Sequence, residues 1–137
     1  MMQYSALAGL YDRLTDNVPY GEYAAHIERL FRRYRQKPAI VLDLACGTGS
    51  LTALLAQRGY EMVAVDLSPD MLTVAREKCQ DIPLQPVFIC QDLCELDLYG
   101  TVQAAVCCLD SVNYLTDRRQ LKRAFSRVSL FLEQGGL

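Results

Sequence analysis

Apolar residues in this chain fall into two alternating patterns. Short unbroken runs occupy residues 39–44, 61–66, 87–90 and 102–109, and each reads as a strand buried on both faces. Between the runs, apolar positions recur at helical spacing. Residues 20–35 place Tyr23, Ile27, Leu30, Phe31 and Tyr34 on one face of an amphipathic helix. Glu28, Arg29, Arg32, Arg33 and Arg35 form a solvated face whose cations suit a helix C-terminus. A shorter helix is predicted over residues 3–15, with Tyr4, Leu7, Ala8, Tyr11 and Leu14 on one side. Residues 50–58 read as a helix stopped by Gly59. Ser68-Pro69-Asp70 opens the next, with Ser at the N-cap, Pro at the first helical position and an acid in the first turn. It runs to about Cys79 and turns Met71, Leu72 and Ala75 inward. The last helix spans residues 117–132, with Leu121, Ala124, Phe125, Val128 and Leu132 in register and Asp117 and Gln120 as a capping box. Strands alternating with helices predict an α/β fold built on a doubly wound parallel sheet. Residues 1–36 are expected to form an N-terminal helical segment, and residues 37–137 to carry the sheet.

In such a sheet the strand tips share one edge, where open α/β sheets bind their ligands. Polar or small residues cluster at all of them: residues 43–49, 66–68, 91–93, and Asp110 with Ser111. In the first cluster, Gly47 and Gly49 permit positive φ and close approach of a bound molecule to the backbone. Asp66 follows Gly49 by 17 residues, at the next strand tip. A carboxylate there can accept from two neighbouring ribose hydroxyls, and Ser68 already supplies the helix cap. A glycine loop followed by such an acid is a nucleoside-binding arrangement. The nicotinamide fingerprint would need Gly or Ala at position 52, where Thr52 stands.

Composition narrows the function classes. The chain has 137 residues, 51% hydrophobic and 22% charged, which suits one globular domain. A net charge of −2 speaks against a nucleic-acid partner. No apolar run is long enough for a membrane span, and the N-terminus lacks a secretory pattern. The six cysteines form no C-x-x-C pair and His26 is the sole histidine, so no metal site is expected. The cysteines are read as reduced and structural, in a cytoplasmic protein.

From about Tyr11 onward the chain resembles the class I S-adenosylmethionine-dependent methyltransferases. Residues 41–49 resemble that family's D-x-G-x-G-x-G motif: Asp43, Gly47 and Gly49 match, and Ala45 stands where the first glycine is typical. The resemblance implies a Rossmann-like fold and S-adenosyl-L-methionine as cofactor, its methionine part wrapped by this loop. It further implies that Asp66 binds the ribose, that Leu67 packs on the adenine face, and that Asp92, flanked by Gln91 and Leu93, reaches the adenine amino group. Leu109 and Asp110 would lie beside the sulfonium and acceptor, and Tyr11 would close over the cofactor. Asp110 is the candidate catalytic base, with Tyr114 as an alternative.

The expected activity is methyl transfer to a small-molecule acceptor by in-line displacement, which needs no covalent nucleophile. A non-catalytic cofactor-binding or partner-binding module is the alternative. The family's sheet has seven strands, so the chain is expected to be a truncated N-terminal portion ending after the fourth strand and its helix. Strand four would then be an exposed apolar edge, and a homo-oligomer through that edge is expected.

Overall fold

The computed structural model describes residues 19–107 and 118–137. Its sheet has the order β3-β2-β1-β4, built from β1 (Ile40–Leu44), β2 (Glu61–Asp66), β3 (Val87–Cys90) and β4 (Ala104–Val106), all parallel. Strand order reverses beside β1: the chain moves outward through β2 and β3, then returns to β1's other side. This is the topological switch point, and it sits at the tip of the strand that carries the glycine loop.

Helices cover both faces. On one, α1 (Tyr20–Arg33), α2 (Ser50–Gln57) and α3 (Pro69–Cys79) bury Ala24, Ile27, Phe31, Leu55 and Cys79 against Val41, Met62 and Ala104. On the other, Val128, Phe131 and Leu132, in and just after α4 (Arg118–Phe131), pack on Leu42, Val65, Leu96 and Val102. Alternate residues of β1 therefore feed opposite cores, which is why its sequence is apolar apart from Asp43. The described part of the N-terminal segment shares the first core with the sheet.

Local chemistry sets the boundaries. α1 opens after Pro19, whose carbonyl accepts from Tyr23 N at 3.0 Å, and closes where Arg35 takes φ 55°. α3 begins at Pro69, with Ser68 Oγ accepting from Met71 N at 3.2 Å. Among the described residues, no helix is long and apolar enough to cross a membrane.

The structure departs from the sequence expectations in three places. Among the described residues the fourth strand covers Ala104–Val106 and begins later than residue 102, where Val102 makes a lone parallel bridge to Leu132. Its outer edge is not bare, because Leu137 O accepts from Ala105 N at 2.9 Å and Leu137 N donates to Gln103 O at 3.3 Å. The edge on which self-association was expected is thus partly closed by the chain's own residues. Phe125, placed in register on the last helix, is 63% exposed, since Ala124 takes the buried position beside it.

Candidate functional site

The tip of β1 turns through three left-handed residues, Ala45 (φ 55°), Gly47 (φ 58°) and Gly49 (φ 79°). Glycine adopts this conformation freely, whereas alanine pays about 1–2 kcal/mol for it. Ala45 therefore occupies a strained position that the backbone path imposes. Gly49 is required for a second reason. A Cβ placed there would lie 2.8 Å from Ala75 Cβ, so α2 and α3 meet through the missing side chain.

Beneath the loop lies a buried polar pair. Asp43 is 3% exposed, and its Oδ2 accepts from Thr52 Oγ1 at 2.6 Å, with Thr52 fully buried. Burial pushes the Asp43 carboxyl up to about 7; the Thr52 hydrogen bond opposes this and the nearby Asp66 charge adds to it. Asp43 thus supports the loop from below. Burial, with help from Asp43 and Asp66, also holds the Cys46 thiol well above its ordinary pKa, which keeps it protonated and unreactive. Lys78 reaches from α3, donating to Ser50 Oγ at 2.9 Å and Thr48 Oγ1 at 3.3 Å.

At the tip of β2, Asp66 joins two loops. Its Oδ2 accepts from Gly47 N at 2.8 Å and its Oδ1 from Ser68 N at 2.9 Å. A carboxylate has about four acceptor directions, so each oxygen keeps capacity for a further donor. The next residue, Leu67, is a 67% exposed apolar side chain on the same edge.

The tip of β3 is organised differently. The exposed Asp92 caps a single 3-10 turn, Leu93–Glu95, its Oδ1 accepting from Cys94 N at 2.9 Å. Gln91 is tied to the far side of this turn: its Nε2 donates to Asp97 O at 2.9 Å and its Oε1 accepts from Asp97 N at 3.0 Å. Leu93 packs against the second core. An open cleft of about 290 Å³ separates the turn from α4, lined by Asp92, Cys94, Glu95, Arg119, Gln120 and Arg123.

The family profile described as "Methyltransferase domain" matches residues 41–136. The chain belongs to the class I S-adenosylmethionine-dependent methyltransferases. A putative methyltransferase of Geobacillus sp. (strain WCH70) is 32% identical over 99% of this chain and 56% of its own length. A crystal structure of an S-adenosylmethionine-dependent methyltransferase from Clostridium acetobutylicum superposes with TM-score 0.86 at 36% identity, covering 97% of this chain and 55% of that one. An amino pentose methyltransferase from Micromonospora echinaspora, solved with S-adenosylmethionine bound, gives TM-score 0.82 at 27% identity, covering 93% and 53%. The chain thus spans about half the length of the relatives it matches.

In this chain, the glycine loop, Asp66, Leu67 and Asp92 come to one sheet edge, as the sequence predicts. Gln91 and Leu93 stand there too, but the side chain of one holds backbone and that of the other packs inward. Tyr11, Leu109, Asp110 and Tyr114 lie outside the described residues. His26 is an exposed residue of α1. Sequence reasoning missed Lys78, whose partners lie 28 and 30 residues away with no local pattern to announce them. It also used Thr52 only to exclude a dinucleotide site, although a polar residue among Leu51, Ala53, Leu54 and Leu55 signals a buried hydrogen bond.

Proposed function

We propose that this chain holds S-adenosyl-L-methionine across the tips of β1, β2 and β3 and serves methyl transfer to a small-molecule acceptor in the cytoplasm. The observation that carries this reading is Asp66: one carboxylate, at the tip of β2 beside the switch-point strand, bonded to backbone of both flanking loops and still able to accept from a ribose. The residues suit such a ligand chemically. The left-handed loop at residues 45–49 offers backbone without bulky side chains, Leu67 offers an apolar surface to a base, and Asp92 offers an acceptor for an exocyclic amine.

When bound, the sulfonium would supply an activated methyl group open to in-line attack by an acceptor lone pair, with the thioether as leaving group. The chain's part is binding and orientation. The Asp43–Thr52 pair and the Gly49–Ala75 contact fix the loop, and Asp66 ties that loop to the start of α3. On the sequence resemblance, Tyr11 closes over the cofactor, Leu109 lies beside the sulfonium, and Asp110 takes the proton of an O–H or N–H acceptor. The amino pentose methyltransferase among the structural neighbours supports a small polar acceptor. The second reading is that these residues bind the cofactor without turning it over.

Calorimetric titration with S-adenosylhomocysteine and with NAD tests the binding. S-adenosylhomocysteine should bind and NAD should not. Asp66→Ala should weaken binding about 100-fold, the loss of two hydrogen bonds to a charged group. Parent-like affinity in that variant would sink the reading. Transfer of a labelled methyl group to small amines and alcohols separates the catalytic reading from the binding-only one.

A further inference from the structure

We infer that Arg127 of α4 is a positioning residue for purine recognition, setting the turn from which Asp92 presents its carboxylate; this rests on the adenine role proposed above for Asp92. The turn's own side-chain bonds, Asp92 to Cys94 N and Gln91 to Asp97, are local and do not tie it to the rest of the fold. It is three residues long, Leu93–Glu95, and follows an edge strand of four. Its closing bonds are Glu95 N to Asp92 O at 2.9 Å and a longer Leu96 N to Leu93 O at 3.4 Å. Isolated turns of this kind are weakly held, and Asp92 itself is exposed.

α4 supplies what the turn lacks. Arg127 donates to Leu96 O through both Nε (2.8 Å) and Nη2 (2.6 Å), so its planar fork closes on one carbonyl. One helical turn earlier, Arg123 Nε donates to Cys94 O at 2.9 Å, and Cys94 Sγ donates to Gln120 O at 3.3 Å. Leu96 is fully buried, so the carbonyl that Arg127 grips is anchored from the other side by the core. The guanidinium also lies 5.8 Å from the Phe131 ring centroid, which limits its own freedom. A cation on the helix that covers the sheet's second face thereby fixes the direction in which Asp92 faces the site.

A purely architectural role would lower affinity for every nucleoside ligand alike. A positioning role changes the preference for a purine bearing a 6-amino group. The test compares S-adenosylhomocysteine with its 6-deamino analogue by calorimetry, using the parent chain, Asp92→Ala, Arg127→Leu and Arg127→Lys. The parent should prefer the amino form about tenfold, the worth of one hydrogen bond to a carboxylate. Asp92→Ala should abolish that preference. Arg127→Leu should reduce it at least threefold while the 6-deamino analogue binds nearly as in the parent, and Arg127→Lys should fall between. Should Arg127→Leu lose its folded circular dichroism signal, Arg127→Lys carries the test, since it keeps a cation but has one donor nitrogen in place of the planar fork. An Arg127 variant that keeps the parent's preference while Asp92→Ala loses it overturns the positioning role alone. Asp92→Ala keeping the preference overturns the adenine role, and the inference with it.

Discussion

The tips of β1 and β3 stand on the same sheet edge and are maintained by different physics. At β1 the loop is shaped by packing and backbone geometry: Gly49 against Ala75, left-handed turns at three residues, and a buried Asp43–Thr52 pair below. At β3 the turn is exposed and held by side-chain hydrogen bonds from Gln91, Arg123 and Arg127. A central strand has neighbours on both sides and helices above, so its tip can be close-packed. An edge strand of four residues has a neighbouring strand on one side only, so its tip must be stapled. Substitutions at the first tip should therefore register mainly in stability, and at the second mainly in ligand preference.

The strongest way to break that contrast is Gly49→Ala. The added Cβ meets Ala75 Cβ at 2.8 Å on a backbone with φ 79°, so the cost combines overpacking and left-handed strain. We expect a loss of about 3 kcal/mol in urea unfolding, together with the loss of cofactor binding. Parent-like stability would mean that α2 and α3 are not in close register.

Asp43→Asn tests the buried pair through pH. The folded-state carboxyl is raised from 3.8 to about 7, so the folded protein binds this proton more tightly than the unfolded chain does. Stability from this group is complete below the unfolded value, falls as pH rises through the interval up to about 7, and is flat above it. The asparagine variant keeps an acceptor for Thr52 and has no such slope. It should match the parent near pH 4 and exceed it at pH 8 by on the order of 4 kcal/mol. A constant difference across pH would place the titration elsewhere.

Smaller effects sharpen the comparison. Asp92→Ala removes the cap of an exposed turn and should cost under about 1 kcal/mol of stability by thermal melting. A loss as large as that of Gly49→Ala would erase the distinction between the tips. Ala45→Gly relieves a φ of 55° and should raise stability in urea unfolding by about 0.5–1 kcal/mol after the entropy of a new glycine is subtracted.

The alternation of apolar runs and amphipathic segments determined the α/β class, and three strand tips were placed to within a residue of Leu44, Asp66 and Cys90. Those features are local: periodicity, a Ser-Pro helix start and a glycine loop each act over a few residues. The loop motif also carried the family, because its spacing reflects a backbone path. What the chain could not announce is pairing across long separations. Lys78 on Ser50, Gly47 N on Asp66, Arg127 on Leu96 and Leu137 on Gln103 join residues 19 to 34 apart, and neither partner's neighbours encode the other. The same holds for burial: Phe125 and Ala124 both fit a helical stripe, and only the rotation of α4 on the sheet decided which one went inside. Sequence sets the elements and the chemistry at their ends; packing decides which of those groups face a ligand and which hold the others in place.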